Sequence, residues 1–204
     1  MQQAQTKPRC SSEARQAEIV DAVLTLAAQR SPLLITTADI ARLMGLTQGA
    51  VFKHFPTKDA ISLAVMAWVD TNLNAALEIA AQQAPDALAG LRAVFAAHVR
   101  FVVQHPGVPR LIFSELQQPN DTPLKVQVRK LLMRYRKLVM SLLTAAERAG
   151  QLGTSVSKPA AASLFIGTVQ GLVMQAMLAG GCERMESEGE QALALYLRAI
   201  GADK

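Results

Sequence analysis

The sequence predicts an all-α protein of about nine helices, and three observations carry that expectation. Alanine and leucine dominate a chain of 204 residues that is 50% hydrophobic but only 4% aromatic, a composition that favours helix. No stretch alternates apolar and polar residues with period two over strand length. Breakers fall at intervals that suit helix ends, among them Pro32, Gly45, Pro56, Pro85, Pro106, Pro123, Gly150, Pro159 and Gly180-Gly181. Helices are therefore expected over 13–30, 37–44, 48–54, 58–82, 86–104, 107–117, 122–150, 159–180 and 187–200.

The first helix leads into a compact motif. Thr36 is placed to cap the second helix, Asp39 to reach back as a capping-box acid, and Ile40, Ala41 and Leu43 to form a small apolar face. Gly45 stops that helix by entering the left-handed region, Leu46 tucks toward the core, and Thr47 caps the third helix. The third helix opens Gln48-Gly49-Ala50, small or polar residues beside which a phosphate or a base edge can approach, while Val51 and Phe55 hold it to the protein. This is the layout of a helix-turn-helix DNA reader, so the chain divides into an arm over 1–12, a three-helix head over 13–66 and a larger helical domain over 67–204. The fourth helix runs without a breaker from Lys58 through Trp68 to Ala81, so its motion would move the head.

In the fifth helix Leu88, Leu91, Phe95, His98 and Val102 share a stripe, with Arg92, Arg100 and Gln104 to other sides. Prolines bracket the sixth. The seventh is amphipathic, with Leu124, Val128, Leu131, Tyr135, Leu138 and Leu142 on one face and Arg129, Lys130, Arg136 and Lys137 on a face read as solvated. No charge occurs from Pro159 to Cys182, a length near the ~20 residues that span a bilayer. Ser163, Thr168, Gln170, Gln175 and four glycines argue instead for a central helix buried on both sides. The ninth helix aligns Leu193, Tyr196, Leu197 and Ile200, and with the eighth it has more apolar surface than one chain should expose, as half of a four-helix bundle would.

The net charge of +5 and pI near 9.5 suit a nucleic-acid partner. The excess is not concentrated on the motif, because residues 1–66 hold seven Lys/Arg against five Asp/Glu. Cys10 and Cys182 are too few and too far apart for a disulfide framework, and neither sits in a redox motif. The opening MQQAQTKPRC lacks the apolar run of a signal peptide, so a cytoplasmic protein is expected. Lys7 and Arg9 in that arm suit either DNA contact or a solvated tail.

From Arg15 to about Trp68 the sequence resembles the DNA-binding domain of the TetR family of bacterial regulators. The resemblance rests on Ile19 and Ala22, Ile40-Ala41, Gly45-Leu46-Thr47, Gly49, Phe52, His54-Phe55 and Lys58 at fixed spacing. It departs at Phe52, where the family usually has tyrosine, and in the loop Arg30–Ile35, which lacks a frequent glycine. The resemblance implies a ligand-responsive regulator, most often a repressor, that binds a pseudo-palindromic double-stranded DNA operator as a homodimer. It further implies Thr37, Thr47, Gln48, Gly49, Phe52, Lys53, His54 and Lys58 at the DNA, with Gln48 and Lys53 reading bases. It implies a core pocket for a small, largely apolar effector, to which His98, Phe95, Phe113, Tyr135, Phe165 and Gln170 would contribute, although each also suits plain core packing. Dimerisation through the last two helices would use Gly167, Gly171, Leu193, Tyr196, Leu197 and Ile200.

Catalytic constellations are absent from the sequence. No two of His54, His98 and His105 have the i, i+4 spacing of a helical metal site, so neither metal nor cofactor is expected. The nearest acid–base pair is His98 with Glu115, which keeps a small helical enzyme as an alternative. A helical interaction module without DNA binding is another, although it leaves residues 36–61 unexplained.

Overall fold

The computed structural model describes residues 11–201, and the expected arm with Lys7, Arg9 and Cys10 lies outside them except for Ser11 and Ser12. Among the described residues there are nine α-helices, one 3₁₀ turn at Pro32–Leu34 and no strand. In order they are α1 (Ser12–Gln29), α2 (Thr37–Leu43), α3 (Gln48–Phe52), α4 (Lys58–Gln82), α5 (Ala87–Gln104), α6 (Gly107–Leu116), α7 (Pro123–Arg148), α8 (Lys158–Ala179) and α9 (Met185–Ala199). Side-chain caps explain most of the starts: Ser11, Thr36, Thr47, Thr57, Asp86 and Thr122 each accept from the amide three residues on. Left-handed glycines terminate others, with φ of +65° at Gly45, +68° at Gly150 and +83° at Gly180.

α5 is the centre of the fold and packs against α4, α7, α8 and α9. Its inward residues Leu91, Val94, Phe95 and Val102 meet Leu73 and Leu77 of α4, Leu131 and Tyr135 of α7, Phe165 of α8 and Leu197 of α9 in one buried cluster. Each such large side chain contributes ~1.5–3 kcal/mol on burial. α4 crosses from the head into this cluster without a break, burying Ile61 and Val65 at one end and Leu73 and Leu77 at the other. The basic face of α7 is in part structural. Arg134 donates to Asp70 of α4 at 2.9 Å, Asp70 accepts from the buried Asn74 amide at 2.7 Å, and Arg136 donates to Ser163 of α8 at 2.9 Å.

Three expectations need correction. α8 is not buried on both sides: Phe165, Val169 and Val173 face the core, but Leu164, Gly167, Gly171, Met174 and Leu178 lie on an open face. The stripe Leu193, Tyr196, Leu197 and Ile200 is buried within the same chain, because α9 packs on α5 and α8. Leu43, assigned to the apolar face of α2, is exposed. By length and composition alone, α4, α5 and α8 are each long and apolar enough to cross a membrane.

α6 starts in close contact with α1. A Cβ on Gly107 would press on the Leu24 carbonyl oxygen and approach the Ala28 amide nitrogen at 2.9 Å and the Ala27 Cβ at 3.0 Å. Backbone atoms yield poorly, so Gly107→Ala should destabilise the fold by ~1–3 kcal/mol, a drop in melting temperature of roughly 3–10 °C. Thermal unfolding followed by circular dichroism measures it. An unchanged melting temperature would mean that α6 leaves α1 at no cost.

Candidate nucleic-acid interface and core cavity

The head is built by short local bonds. Thr36 and Asp39 close a capping box, with the Thr36 hydroxyl donating to Asp39 at 2.7 Å and the Thr36 amide at 3.0 Å. These bonds, aided by Arg30 at 3.3 Å, hold the Asp39 carboxyl at about 2, well below the usual carboxylate range. Arg42 shares the same oxygen at 3.1 Å. At the turn, the Leu46 amide donates to the Ala41 carbonyl at 2.8 Å around left-handed Gly45, which fixes the angle between α2 and α3.

α3 turns one side inward, with Val51 and Phe55 buried, and leaves Gln48, Gly49 and Lys53 exposed and Phe52 41% exposed. Among the described residues a Cβ on Gly49 would meet nothing within 4 Å, so none of them demands glycine there. Thr37 does not reach the surface expected of it. It is only 9% exposed, and its hydroxyl accepts from the Gln48 side-chain amide at 2.6 Å, so it braces Gln48 from beneath. His54 ties the end of α3 to α1: its Nδ1 lies 3.2 Å from the Ser12 hydroxyl, and its carbonyl accepts from Gln16 at 3.1 Å. Lys58 is exposed in the first turn of α4 behind the Thr57 cap. Gln48, Gly49, Phe52 and Lys53 are thus exposed around α3 and Lys58 is exposed at the start of α4, whereas Thr37 and His54 brace α3.

The body holds a cavity of about 80 Å³ whose wall includes His98, Phe113, Tyr135 and Gln170. Phe95 and Phe165 do not line it. They stack edge to face at 5.4 Å and 84° behind Tyr135, because Phe95 turns toward α9 and Phe165 into the α8 core. Sequence reasoning missed the contribution of α6, which supplies Val108, Pro109, Ile112 and Leu116 besides Phe113. Its apolar positions were visible, but not which helix they would face. His98 Nδ1 lies 3.1 Å from the Tyr135 hydroxyl. Glu115 instead accepts from Thr122, so the acid–base pair of the enzyme alternative does not form. No cluster of three or more His, Cys, Asp or Glu suited to a metal occurs among the described residues. Burial first, then Glu183, pushes the Cys182 thiol up, against Arg110.

His98 keeps some accessible surface, but that surface lines the cavity, and removal from bulk water lowers its pKa from 6.5 to about 4. A depressed folded-state pKa means that the unfolded chain binds the proton first as pH falls. The contribution of neutral His98 is therefore complete above about 6.5 and is lost as pH drops toward 4. Urea unfolding between pH 7 and 4 should reveal a loss of up to roughly 3 kcal/mol that His98→Phe abolishes. Parallel pH profiles for the two proteins would contradict this.

Residues 19–65 match the model of the family described as bacterial regulatory proteins, tetR family. The nucleoid occlusion factor SlmA of Marinomonas sp. (strain MWYL1) is 20% identical over 159 residues, 78% of this chain and 81% of that protein. The SlmA of Glaesserella parasuis serovar 5 is 24% identical over 137 residues, 67% of this chain and 68% of its own. Among solved structures, a TetR-family transcriptional regulator from Agrobacterium tumefaciens superposes with a TM-score of 0.79 at 21% identity, covering 93% of this chain and 99% of that one. The regulator FadR from Bacillus subtilis, solved with stearoyl-CoA, does so at 0.77 and 17% identity, over 92% and 99%. The ketosteroid regulator KstR2 of Mycobacterium tuberculosis gives 0.77 at 20% identity, over 94% and 98%. The match to the tetR family of bacterial regulatory proteins thus covers the head, residues 19–65, and the chain shares its all-helical fold with these solved regulators.

Proposed function

We propose that the chain is a cytoplasmic, homodimeric transcriptional repressor. Its two heads, residues 13–66, grip a pseudo-palindromic DNA operator, and a small, largely apolar effector in the body, residues 67–204, releases them. The observation that carries this reading is the outward side of α3, where Gln48, Gly49 and Lys53 are left to solvent on a helix otherwise pinned by Val51 and Phe55. Bracing by Thr37 prepares the Gln48 amide for a base edge, since a side chain already held loses less entropy on binding.

Release follows from the two contacts of α6. The helix walls the cavity through Val108, Ile112 and Phe113 and meets the backbone of α1 at Gly107. A cavity of about 80 Å³ is small beside the ~300–1,000 Å³ of typical ligand pockets. An effector that widens it moves α6 against α1 and tilts the head. Such a ligand must bind the widened form more tightly, because equal affinity for both forms shifts nothing. In this reading the apolar helices α4 and α5 serve the core, and α8 serves an interface between copies.

That interface uses the open face of α8 rather than the buried stripe of α9. Leu178 is 75% exposed, Leu164 52% and, on α9, Leu195 60%, while a Cβ on Gly167 or Gly171 would meet nothing within 4 Å. Leu164→Glu with Leu178→Glu should give a folded monomer in light scattering. An unchanged dimer would move the interface elsewhere.

DNA binding is tested with a duplex selected from a random pool, titrated beside a scrambled duplex at several salt concentrations. Lys58→Ala should weaken both similarly and reduce the salt slope by about one unit. Gln48→Ala and Lys53→Ala should lose the selected duplex preferentially, by ~1–3 kcal/mol. Thr37→Val, which frees the Gln48 amide, should share that pattern. No selective duplex emerging from the pool would refute the regulator reading.

A further inference from the structure

Among the described residues, three polar side chains reach the cavity wall, His98, Tyr135 and Gln170, and no charged one does. His98 and Tyr135 form a pair, with Nδ1 3.1 Å from the hydroxyl and the rings nearly perpendicular at 84°. A neutral imidazole carries one N–H and one bare nitrogen, and a phenol carries one O–H and free lone pairs. Two proton arrangements satisfy their bond. When the Tyr135 O–H donates to Nδ1, the Nε2–H remains as a donor and the phenol oxygen as an acceptor. When Nδ1–H donates to the phenol oxygen, the Tyr135 O–H remains as the donor and Nε2 as the acceptor. In both cases the pair retains one donor and one acceptor for a third group, and exchanging the two arrangements swaps which residue plays which part. Among the described residues neither side chain makes another hydrogen bond.

We propose that the effector is an uncharged, largely apolar molecule with a single carbonyl or hydroxyl oxygen, which docks on the His98–Tyr135 pair; this rests on the regulator reading above. Apart from Gln170, the rest of the described wall, from Leu73, Val102, Val128 and Leu131 to the α6 residues, is hydrocarbon that suits the remainder of such a molecule. A carboxylate or phosphate buried there would find no lysine or arginine on the wall. Burial also keeps His98 from supplying a positive charge at neutral pH, since its pKa falls to about 4. An ammonium group would find no carboxylate, and burial pushes the Tyr135 hydroxyl well above its ordinary pKa, so it supplies no anion. An unpaired buried charge is so unfavourable that charged analogues should bind weaker by orders of magnitude.

The test is calorimetric titration of the full chain, without DNA, with straight-chain probes of four to ten carbons in five matched series: methyl ketones, primary alcohols, alkanes, carboxylates and alkylammonium ions, at pH 7.5. Ketones and alcohols should bind, their advantage over the equal-length alkane should fall roughly tenfold in Tyr135→Phe and in His98→Phe, and carboxylates and ammonium ions should not compete. Melting curves verify that the two variants fold. A carboxylate or ammonium ion binding as well as the ketone would overturn the proposal. So would an advantage over alkane unchanged in both variants, or no probe binding at any length. Because the titration contains no DNA, none of these failures touches operator recognition, which the duplex titration judges separately.

Discussion

The contact on which the rest of the structure turns is the one between Gly107 and the backbone of α1, where no side chain separates two helices. Without a Cβ, α6 can begin directly on Leu24 and Ala28 and then run along the body, so that Val108, Pro109, Ile112, Phe113 and Leu116 face the cavity. One rigid ten-residue element is thereby in contact with the head at its first turn and with the hydrocarbon wall along the rest of its length. Packed interfaces of this kind repack rather than stretch, because their contacts are already at van der Waals distance. A small change in cavity volume therefore has a direct mechanical route to α1, and from α1 to α3 through the bonds of Ser12 and Gln16 with His54.

Polar groups inside the body follow the same economy. Asn74 is buried on α4, but its amide is engaged by Asp70, whose carboxylate is in turn held by Arg134. This chain fastens α4 to α7 at mid-height. His98 and Tyr135 solve their burial with each other and keep hydrogen-bonding capacity in reserve on the cavity side. The Tyr196 hydroxyl is sealed in the core with no partner among the described residues, and its ring packs edge-on against Phe165 at 5.3 Å. The aromatic side chains between α5, α7, α8 and α9 therefore act as a floor beneath the cavity, which confines any ligand to the α6 side.

In the head, stiffness comes from short-range bonds rather than from a large core. Asp39 is the hub: it accepts from Thr36 twice and faces Arg30 and Arg42, which keeps it ionised through the neutral range. With α2 fixed in this way, the Schellman closure at Gly45 and the Thr47 cap leave α3 little freedom of direction. A five-residue helix has negligible stability alone, since nucleation is costly and propagation brief. Its order is borrowed from α2 through Thr37 and from α1 through His54.

The sequence by itself determined what depends on neighbours along the chain. Caps at Thr36 and Thr47, the glycine stop at Gly45 and the proline-bounded α6 are legible because their partners lie close along the chain. Helix number and ends follow from these signals, and so does the exposed side of α3. Tertiary structure alone decided what each apolar stripe faces. The pattern of Leu193, Tyr196, Leu197 and Ile200 is the same whether it meets its own core or a second copy, and only the seat of α9 on α5 and α8 buries it at home and leaves the glycine face of α8 outside. Thr37 reads as a surface residue until α3 folds over it, and Phe95 reads as a cavity wall until the rotation of α5 turns it toward α9. The His98–Tyr135 pair joins residues 37 positions apart. Helical periodicity records which side of a helix is apolar, whereas the rotation and height at which helices meet are set by all of their side chains interlocking at once.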